Sequence, residues 1–222
     1  MYQNIEKIKD TLTNKGFKIN DPWDIVDAFE GLVAEYAGSK YAVAVDSCTN
    51  AMFLCLKYLE ATGSVTIPSQ TYLSVPELIL HAGCRPKFIN MEWKGTYKLS
   101  PYPVVDSATR FTKNMYEKDT YQCLSFHIRK NLPIAKGGMI LTDDKEAADW
   151  LELASYEGRD RRVMHDEMPE PTICGWNMYM PPEQAARGID IFLSLPDHIE
   201  DCGGSYKYKD ISSYKMFSET IR

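Results

Sequence analysis

The apolar positions of the chain follow two spacings in turn. From residue 25 to residue 36 they recur every three or four positions, as on one face of a helix, and Gly38 follows as a typical helix end. Tyr41–Val45 is instead a short continuous apolar run, which predicts a buried strand. The other runs predicted to be strands are 64–67, 86–90, 102–105, 121–126 and 137–142. The other segments predicted to be helices are 5–13, 51–59, 73–82, 144–156 and 181–195.

Strands that alternate with helices in this way predict right-handed βαβ units. We therefore expect an α/β fold in which helices cover both faces of a mostly parallel sheet, giving three layers, α/β/α. Ligands of such sheets bind at the carboxyl ends of the strands. The polar side chains that directly follow the predicted strands are thus the first candidates for a functional site.

Composition and charge narrow the function classes. Hydrophobic residues make up 44% of the 222 residues, enough to build the core of a medium-sized domain. The formal net charge of -6 gives no basic footprint for nucleic acid. The first residues are charged and no apolar run is long enough to span a bilayer, so we expect a cytoplasmic protein without membrane contact. The six scattered cysteines form no C-x-x-C pair and no metal-ligand spacing with the four histidines, which predicts reduced thiols and no metal site.

Residues 46–50 follow the Tyr41–Val45 strand and read Asp-Ser-Cys-Thr-Asn before an apolar helix begins. A strand that runs through small hydroxyl residues into a helix start makes an anion site, because free backbone amides and the helix dipole point to one spot. Ser47 and Thr49 can add hydroxyl donors. The alternative is that either residue is only an N-cap, and the residues alone favour that alternative.

Other predicted strand ends carry polar side chains suited to chemistry. Tyr72 follows the strand at 64–67, and Asp106 ends the strand at 102–105, where a helix N-cap or a solvated turn is the alternative role. Lys130 lies in the connection between the strands at 121–126 and 137–142, five residues after Ser125. A surface position in a hairpin is the commoner explanation for a lysine considered alone.

Taken together, these residues form the set that is needed to hold pyridoxal phosphate (PLP). A lysine forms a Schiff base with the aldehyde of this cofactor, and a carboxylate pairs with its pyridinium nitrogen. An aromatic side chain covers one face of the ring, while hydroxyl groups and a helix start bind the phosphate.

The segments around these residues resemble the DegT/DnrJ/EryC1/StrS aminotransferases, a family of fold type I often called sugar aminotransferases. Their phosphate loop, ring-stacking Thr-aromatic pair, pyridine-nitrogen Asp, Ser-Phe-His-x-x-Lys motif and Gly-Tyr-Asn segment have counterparts here in the same order. In chain order the matching segments are FEGLVAEYAGSKYAVAVDSCTNAM (29–52), IPSQTYLSVPELILHAGCRPKFIN (67–90), VVDSA (104–108), SFHIRKNLPIAKGGMILT (125–142) and GWNMYMPPEQAARGI (175–189).

This resemblance implies a role for each matching residue. Lys130 would be the Schiff-base lysine and would move the proton between the substrate Cα and the cofactor C4′. Asp106 would keep the ring nitrogen protonated, so that the ring can take up carbanion charge. Tyr72 would stack on the ring, and Asn177 would reach the phosphate in the partner subunit, which implies a homodimer with shared active sites. The ligands of the phosphate within one chain would be Ser125, the backbone amides of Cys48 and Thr49, and the hydroxyl of Ser47 or Thr49.

Arg159, Arg161 and Arg162 are further candidates. They lie in a polar loop, 158–175, and loops of this length without their own secondary structure are usually functional or disordered. The three side chains are candidates for binding a substrate carboxylate. A solvated loop is the alternative, and we favour it slightly.

The chain departs from the family pattern mainly in length. Between residues 90 and 104 a further strand, helix and strand are expected, and most of the small C-terminal domain that closes over the substrate in the relatives is missing. We therefore predict a shortened PLP-binding large domain over residues 1–195 and a short remnant or tail over 196–222. Thr109 stands where Gln or His is usual, and Cys48 where Gly is usual, so the cofactor residues are retained better than the substrate residues.

The sequence thus predicts a PLP-dependent aminotransferase that moves an amino group from a donor such as glutamate to a keto-sugar or related acceptor through a Lys130 Schiff base. One alternative is a PLP enzyme with another reaction on an amine substrate. The other is a relative that binds a ligand or a partner and has lost catalysis.

Overall fold

Seven strands and seven α-helices are defined in the computed structural model, which describes residues 2–14 and 16–218. The bounds of the strands are β1 Tyr41–Val45, β2 Ser64–Pro68, β3 Arg85–Ile89, β4 Tyr97–Lys98, β5 Val104–Asp106, β6 Tyr121–Ser125 and β7 Gly138–Thr142. The bounds of the helices are α1 Tyr2–Asn14, α2 Trp23–Ala37, α3 Cys48–Tyr58, α4 Ser74–His81, α5 Lys145–Ser155, α6 Pro182–Phe192 and α7 Lys215–Ser218.

The main sheet has the strand order β1-β7-β6-β5-β4, and β2 and β3 form a parallel pair beside it. Thr66 and Ser100 exchange two backbone hydrogen bonds, of 2.7 and 3.1 Å, which join the pair to the main sheet. The predicted α/β class is confirmed, but the sheet is mixed rather than mostly parallel, since β7 runs antiparallel to both β1 and β6. The connection from β6 to β7 contains no helix, and β7 returns antiparallel to β6, whereas parallel strands are usually joined by a helix.

Three layers follow from the alternation of side chains along the strands. Val43 and Val45 of β1 face one core together with α3, α4 and α5, whereas Ala42 and Ala44 face a second core with α1, α2 and α6. Successive side chains of a strand point to opposite faces, so a continuous apolar run fills both cores. Within residues 2–14 and 16–218, no helix is long and apolar enough to cross a membrane.

The stretch between β3 and β5 is short, as the sequence predicts, but it contains one strand that the apolar pattern does not reveal. This strand, β4, pairs antiparallel with β5 and sets Tyr97 opposite Asp106. The chain then reaches Ser100, which bridges to Thr66 of β2. The two-residue strand β4 is therefore the edge strand of the main sheet, and the residues just after it bond to the β2–β3 pair.

The segment after α6 packs back along the edge of the sheet where β5 ends. Its backbone bonds to three earlier segments: Cys202 N donates to Thr109 O at 2.8 Å, Ser205 N to Trp93 O at 2.9 Å, and Ile211 N to Ser69 O at 3.0 Å. The segment predicted as a short remnant or tail is thus ordered against the large domain. Its last residues, 219–222, lie outside the described residues.

Candidate active site

A cavity of about 690 Å³ opens where β1, β5 and β6 end. Residues that the sequence places at separate strand ends meet around it, as expected for the carboxyl ends of neighbouring strands. The predicted site residues that line this cavity are Ser47, Cys48, Thr49, Tyr72, Asp106, Ser125 and Lys130.

Asp106 is the buried carboxylate of the cavity, with 5% of the residue exposed. Tyr97 Oη donates a hydrogen bond of 2.6 Å to Oδ2, and Ala108 N donates one of 2.8 Å to Oδ1. Burial raises the pKa of Asp106, while these two hydrogen bonds and the positive charge of Lys130 act in the opposite direction. A carboxylate has about four acceptor positions, so capacity remains for an N–H group in the cavity.

α3 begins at the wall of the cavity. Ser47 is its N-cap, because Oγ accepts a hydrogen bond of 3.2 Å from Asn50 N. Cys48 is buried, and its thiol donates to Cys123 O at a distance of 3.4 Å. Burial raises the pKa of the Cys48 thiol well above its usual range, so this group stays neutral and acts as a small packing residue.

A second helix starts at the same cavity. Ser74 is the first residue of α4, and its Oγ lies 2.7 Å from Thr49 Oγ1 of α3. Two helix N-termini, each with a hydroxyl side chain, therefore line one cavity. Helix N-termini attract anions through free amides and the helix dipole, so this part of the wall suits a phosphate group.

Gly138, the first residue of β7, lies against the start of α3. A Cβ atom at this position would be 2.3 Å from Ser47 C and 2.5 Å from Cys48 N, and both of these are backbone atoms. We expect Gly138→Ala to displace the loop and to lower the free energy of unfolding by about 2 kcal/mol or more, measured by urea unfolding. Gly31→Ala is the control: a Cβ there meets nothing within 4 Å, and the helical position predicts a gain of about 0.5–1 kcal/mol. Equal stability of the two variants would contradict this account of Gly138.

Lys130 is half-buried in the connection between β6 and β7, where its backbone N–H donates to His127 O at 2.9 Å. Among the residues that the structure describes, its Nζ has no hydrogen-bond or ion-pair partner. A second lysine, Lys136, also lines the cavity, but its Nζ is paired with Asp46 Oδ2 at 3.0 Å. Of the two amines at the β6–β7 connection, Lys130 is the one available to a ligand.

Aromatic side chains form the opposite wall, which includes part of the C-terminal segment. Tyr72 is 63% exposed, and its ring meets that of Tyr208 edge-on at a centroid distance of 6.5 Å. Tyr208 in turn stacks on Trp93, at 5.7 Å and 24°. The indole of Trp93 is held by a hydrogen bond of 2.9 Å from Nε1 to Gln70 O. A planar ligand can therefore meet an ordered aromatic surface in this cavity.

The three arginines of the polar loop lie outside the cavity, in a second cleft against α2. Arg161 and Arg162 both pair with Asp27, and Arg161 also lies 3.4 Å from Glu30. The guanidinium of Arg159 lies over the ring of Tyr156, 4.5 Å from its centroid. The ion pairs of Arg161 and Arg162 fix the loop to α2, and within one chain the contacts of the three arginines do not support a role in binding substrate.

Asn177 also lies outside the cavity that its own chain forms. Its side chain is exposed, and Nδ2 donates a hydrogen bond of 2.9 Å to Glu157 Oε1. The structure thus brings Asn177 to the surface rather than to the other predicted phosphate ligands of the same chain.

The buried carboxyl group of Glu30, in the second cleft, makes the free energy of unfolding depend on pH. Burial raises its pKa to about 7, although the charge of Arg161 and a hydrogen bond from Ala44 N to Oε1, of 2.7 Å, act against this. The folded pKa thus lies above the value of about 4.3 for an unfolded glutamate, so the stabilising contribution of Glu30 is full at low pH and is lost as the pH rises through 7. We expect Glu30→Gln to flatten the fall of the unfolding free energy between pH values of about 4 and about 7. Urea unfolding across this range tests it, with the exposed Glu35→Gln as control; an unchanged fall in the Glu30 variant would contradict the argument.

The sequence pattern does not reveal several of the residues that line the cavity. Ser74 could have been found as a hydroxyl at a predicted helix start, and Trp93 as an aromatic residue in an irregular stretch. Tyr97 and the C-terminal residues carried no usable signal, because neither a two-residue strand nor an irregular tail has periodicity. The missed residues of the cavity are Met52, Thr71, Ser74, Val75, Trp93, Ala108, Thr109, His127, Arg129, Lys136, Gly137, Cys202, Gly203, Lys207 and Tyr208.

Comparison with known proteins assigns this arrangement to a class. The crystal structure of the aminotransferase TlmJ from Streptoalloteichus hindustanus matches with a TM-score of 0.66 at 21% identity, covering 87% of this chain and 64% of that one. The fold is that of the fold type I PLP-dependent aminotransferases. A model of the DegT/DnrJ/EryC1/StrS aminotransferase family matches residues 3–121 and 113–201, and the chain belongs to this family.

Two curated relatives show how much of a family member the chain represents. The spore coat polysaccharide biosynthesis protein SpsC of Bacillus subtilis is 27% identical over 92% of this chain and 66% of its own length. The UDP-4-amino-4,6-dideoxy-N-acetyl-beta-L-altrosamine transaminase of Campylobacter jejuni is 21% identical over 87% of this chain and 61% of its own length. The chain thus spans about two thirds or less of the length of these relatives.

Proposed function

We propose that this protein is a PLP-dependent aminotransferase that transfers an amino group from a donor such as glutamate to a keto-sugar or a related acceptor. The observation that carries the proposal is the meeting of Lys130 and Asp106 in one cavity with the start of α3. The relatives named above add support, because one is a sugar transaminase and the other serves polysaccharide synthesis.

The residues around the cavity fit the cofactor in their chemistry. The starts of α3 and α4, the hydroxyl groups of Thr49 and Ser74, and Ser125 at the end of β6 can bind an anionic group. The buried carboxylate of Asp106 can accept a further hydrogen bond from a ring N–H group. The Lys130 amine, which is unpaired within the described residues, can bind an aldehyde, and the exposed ring of Tyr72 can stack on a flat ring.

When bound, pyridoxal phosphate supplies an electron sink that no side chain supplies. The residues of the chain hold and orient it. Lys130 Nζ would bind it covalently at the aldehyde carbon and, when displaced by a substrate amine, would accept and return the Cα proton as the general base and acid. Asp106 would keep the ring nitrogen protonated, and Tyr72 would exclude water from one face of the ring.

The same proposal includes a homodimer with shared sites. Asn177 carries the family's phosphate-binding position but does not line the cavity of its own chain. Tyr72, Leu73 and Ile128, which are in or beside the cavity lining, are 63%, 41% and 62% exposed. Exposed apolar side chains grouped around a site are typical of an interface. A second copy that covers them could bring its Asn177 to this cavity.

The location and the reaction partners belong to the proposal as well. All six cysteines are free, and four of them are buried, which supports a protein of a reducing compartment such as the cytoplasm. The amino donor and the keto acceptor are small molecules in this proposal. Cationic side chains at the cavity, among them Arg129 and Lys207, suit an acceptor that carries negative charge.

Absorbance measurements with and without a donor test the proposal. Protein incubated with pyridoxal phosphate should gain visible absorbance, and glutamate should bleach it with stoichiometric release of 2-oxoglutarate. Protein that takes up no cofactor would refute the proposal. Uptake without reaction with any of a panel of amino donors would favour a relative that only binds ligand, and release of carbon dioxide would favour a different reaction.

A further inference from the structure

Tyr97 and Asp106 are paired across neighbouring strands. β4 is antiparallel to β5, and the register sets Tyr97 directly opposite Asp106. Side chains at directly opposite positions of two strands lie on the same face and contact each other. The contact therefore exists because the short stretch between β3 and β5 places a strand beside Asp106.

The pair forms the end of a buried chain of hydroxyl groups. Tyr97 Oη lies 2.6 Å from Asp106 Oδ2 and 2.5 Å from Thr71 Oγ1. The three residues are at most 5% exposed. A phenol has one proton, so if Tyr97 donates to a carboxylate, the hydroxyl of Thr71 has to donate to Tyr97. This order of donors stabilises a negative charge on Asp106.

The ring of Tyr97 is itself held in place. It packs on Trp93 at a centroid distance of 4.7 Å, and Trp93 is bonded to Gln70 O. Asp106 Oδ1 is oriented by the backbone of Ala108. Both oxygens of the carboxylate are thus held by donors whose own positions are fixed, which is the arrangement that keeps a charged group oriented toward a site.

We propose that Tyr97 is a positioning residue that keeps Asp106 ionised and directed into the cavity. For the identity of the ligand the inference rests on the proposed function, whereas the ionisation of Asp106 can be tested without any ligand. Burial favours the neutral acid, and the phenol opposes this effect through a short hydrogen bond to the charged form.

The first test uses the protein without cofactor. Tyr97→Phe removes one oxygen atom, and Tyr102→Phe is the matched control, since its hydroxyl bonds to Thr62 away from the cavity. Without the phenol the neutral acid of Asp106 is favoured further, so native Tyr97→Phe binds a proton that the unfolded chain has lost. We expect its unfolding free energy to fall relative to that of Tyr102→Phe as the pH rises from the ordinary aspartate range toward neutrality. A difference that is the same at every pH would show a merely structural role and overturn the proposal.

The second test uses the cofactor and an analogue in which carbon replaces the ring nitrogen. Fluorescence titration should show about tenfold weaker binding of pyridoxal phosphate to Tyr97→Phe, and a change of less than about twofold for Tyr102→Phe. The analogue cannot pair with Asp106, so its affinity should be the same for wild type and Tyr97→Phe. An equal loss for both ligands would contradict the proposal, as would no loss for either. If wild type bound no pyridoxal phosphate, the proposed function would fail, and the cofactor-free titration would still decide the role of Tyr97.

Thr71→Val, which leaves the phenol in place, should give a smaller effect of the same sign in both tests.

Discussion

Lys130→Ala is expected to lower the rate of amino transfer by about 10³-fold or more, with little effect on stability. The half-buried side chain lines the cavity, and its Nζ has no hydrogen-bond or ion-pair partner in the described part of the chain, so its removal breaks no such bond. What is lost is the amine that binds the aldehyde and carries the Cα proton in this proposal. The measurements are the steady-state rate with glutamate and the thermal unfolding midpoint.

Two variants separate this effect from a loss of charge. Lys130→Arg keeps a cation at the cavity, but a guanidinium stays protonated and cannot act as a base, so its rate should be as low as that of Lys130→Ala. Lys136→Ala removes the second cavity lysine of the β6–β7 connection, whose Nζ is paired with Asp46, and should retain covalently bound cofactor. Near wild-type activity in Lys130→Arg would contradict the role given to Lys130.

Asp106→Asn is expected to lower the rate by about 10²–10³-fold and to change the unfolding free energy by no more than about 1 kcal/mol. The amide keeps the shape of the side chain and still accepts a hydrogen bond, but it cannot hold a proton on the ring nitrogen. Burial raises the pKa of the Asp106 carboxyl, which means that its buried charge lowers the free energy of unfolding. The gain in stability from removing this charge offsets the loss from a hydrogen bond that the amide makes less well. Kinetics and urea unfolding of the same preparation test both parts.

Asp144→Asn is the matched control for this variant. Asp144 also accepts hydrogen bonds from tyrosine hydroxyls, Tyr121 Oη at 3.0 Å and Tyr58 Oη at 3.5 Å, and one from a backbone amide, Ala147 N at 3.1 Å, but it does not line the cavity. We expect its rate to stay within about twofold of wild type, since its bonds cap α5 and hold two tyrosines, none of which line the cavity. If the two variants lost activity equally, the special role of Asp106 would be refuted.

Continuous apolar runs in the sequence predict the bounds of the buried strands well. Tyr41–Val45 was predicted with the observed bounds, and β6 was predicted to within one residue. Once the strands are predicted, the meeting of Asp106 and Lys130 can be predicted as well. Each residue lies at or just after the carboxyl end of a strand of one sheet, and such ends lie side by side. The direction of β7 could not be predicted, because an apolar run reads the same in both directions.

The parts that escaped prediction depend on contacts between distant segments. Tyr208 reaches the cavity by stacking on Trp93, and nothing in the polar tail indicates that partner. Tyr97 reaches Asp106 through a two-residue strand, which is too short to produce a period. Arg161 and Arg162 were candidates on composition alone, whereas the structure pairs them with acidic residues of α2. Local pattern therefore predicted the elements and the edge of the sheet, but not the side chains that complete the site.

The most direct test of the central claim is to identify the amine that binds the cofactor. Borohydride reduction of the protein loaded with pyridoxal phosphate fixes the cofactor to the nitrogen that holds it, and mass spectrometry of the digested protein then gives the position. The structure offers two lysines at the β6–β7 connection of the cavity, one free and one paired with Asp46. We predict that the modification is on Lys130 and is absent from Lys130→Ala. Modification of Lys136 in wild type, or of no lysine in the cavity, would contradict the account.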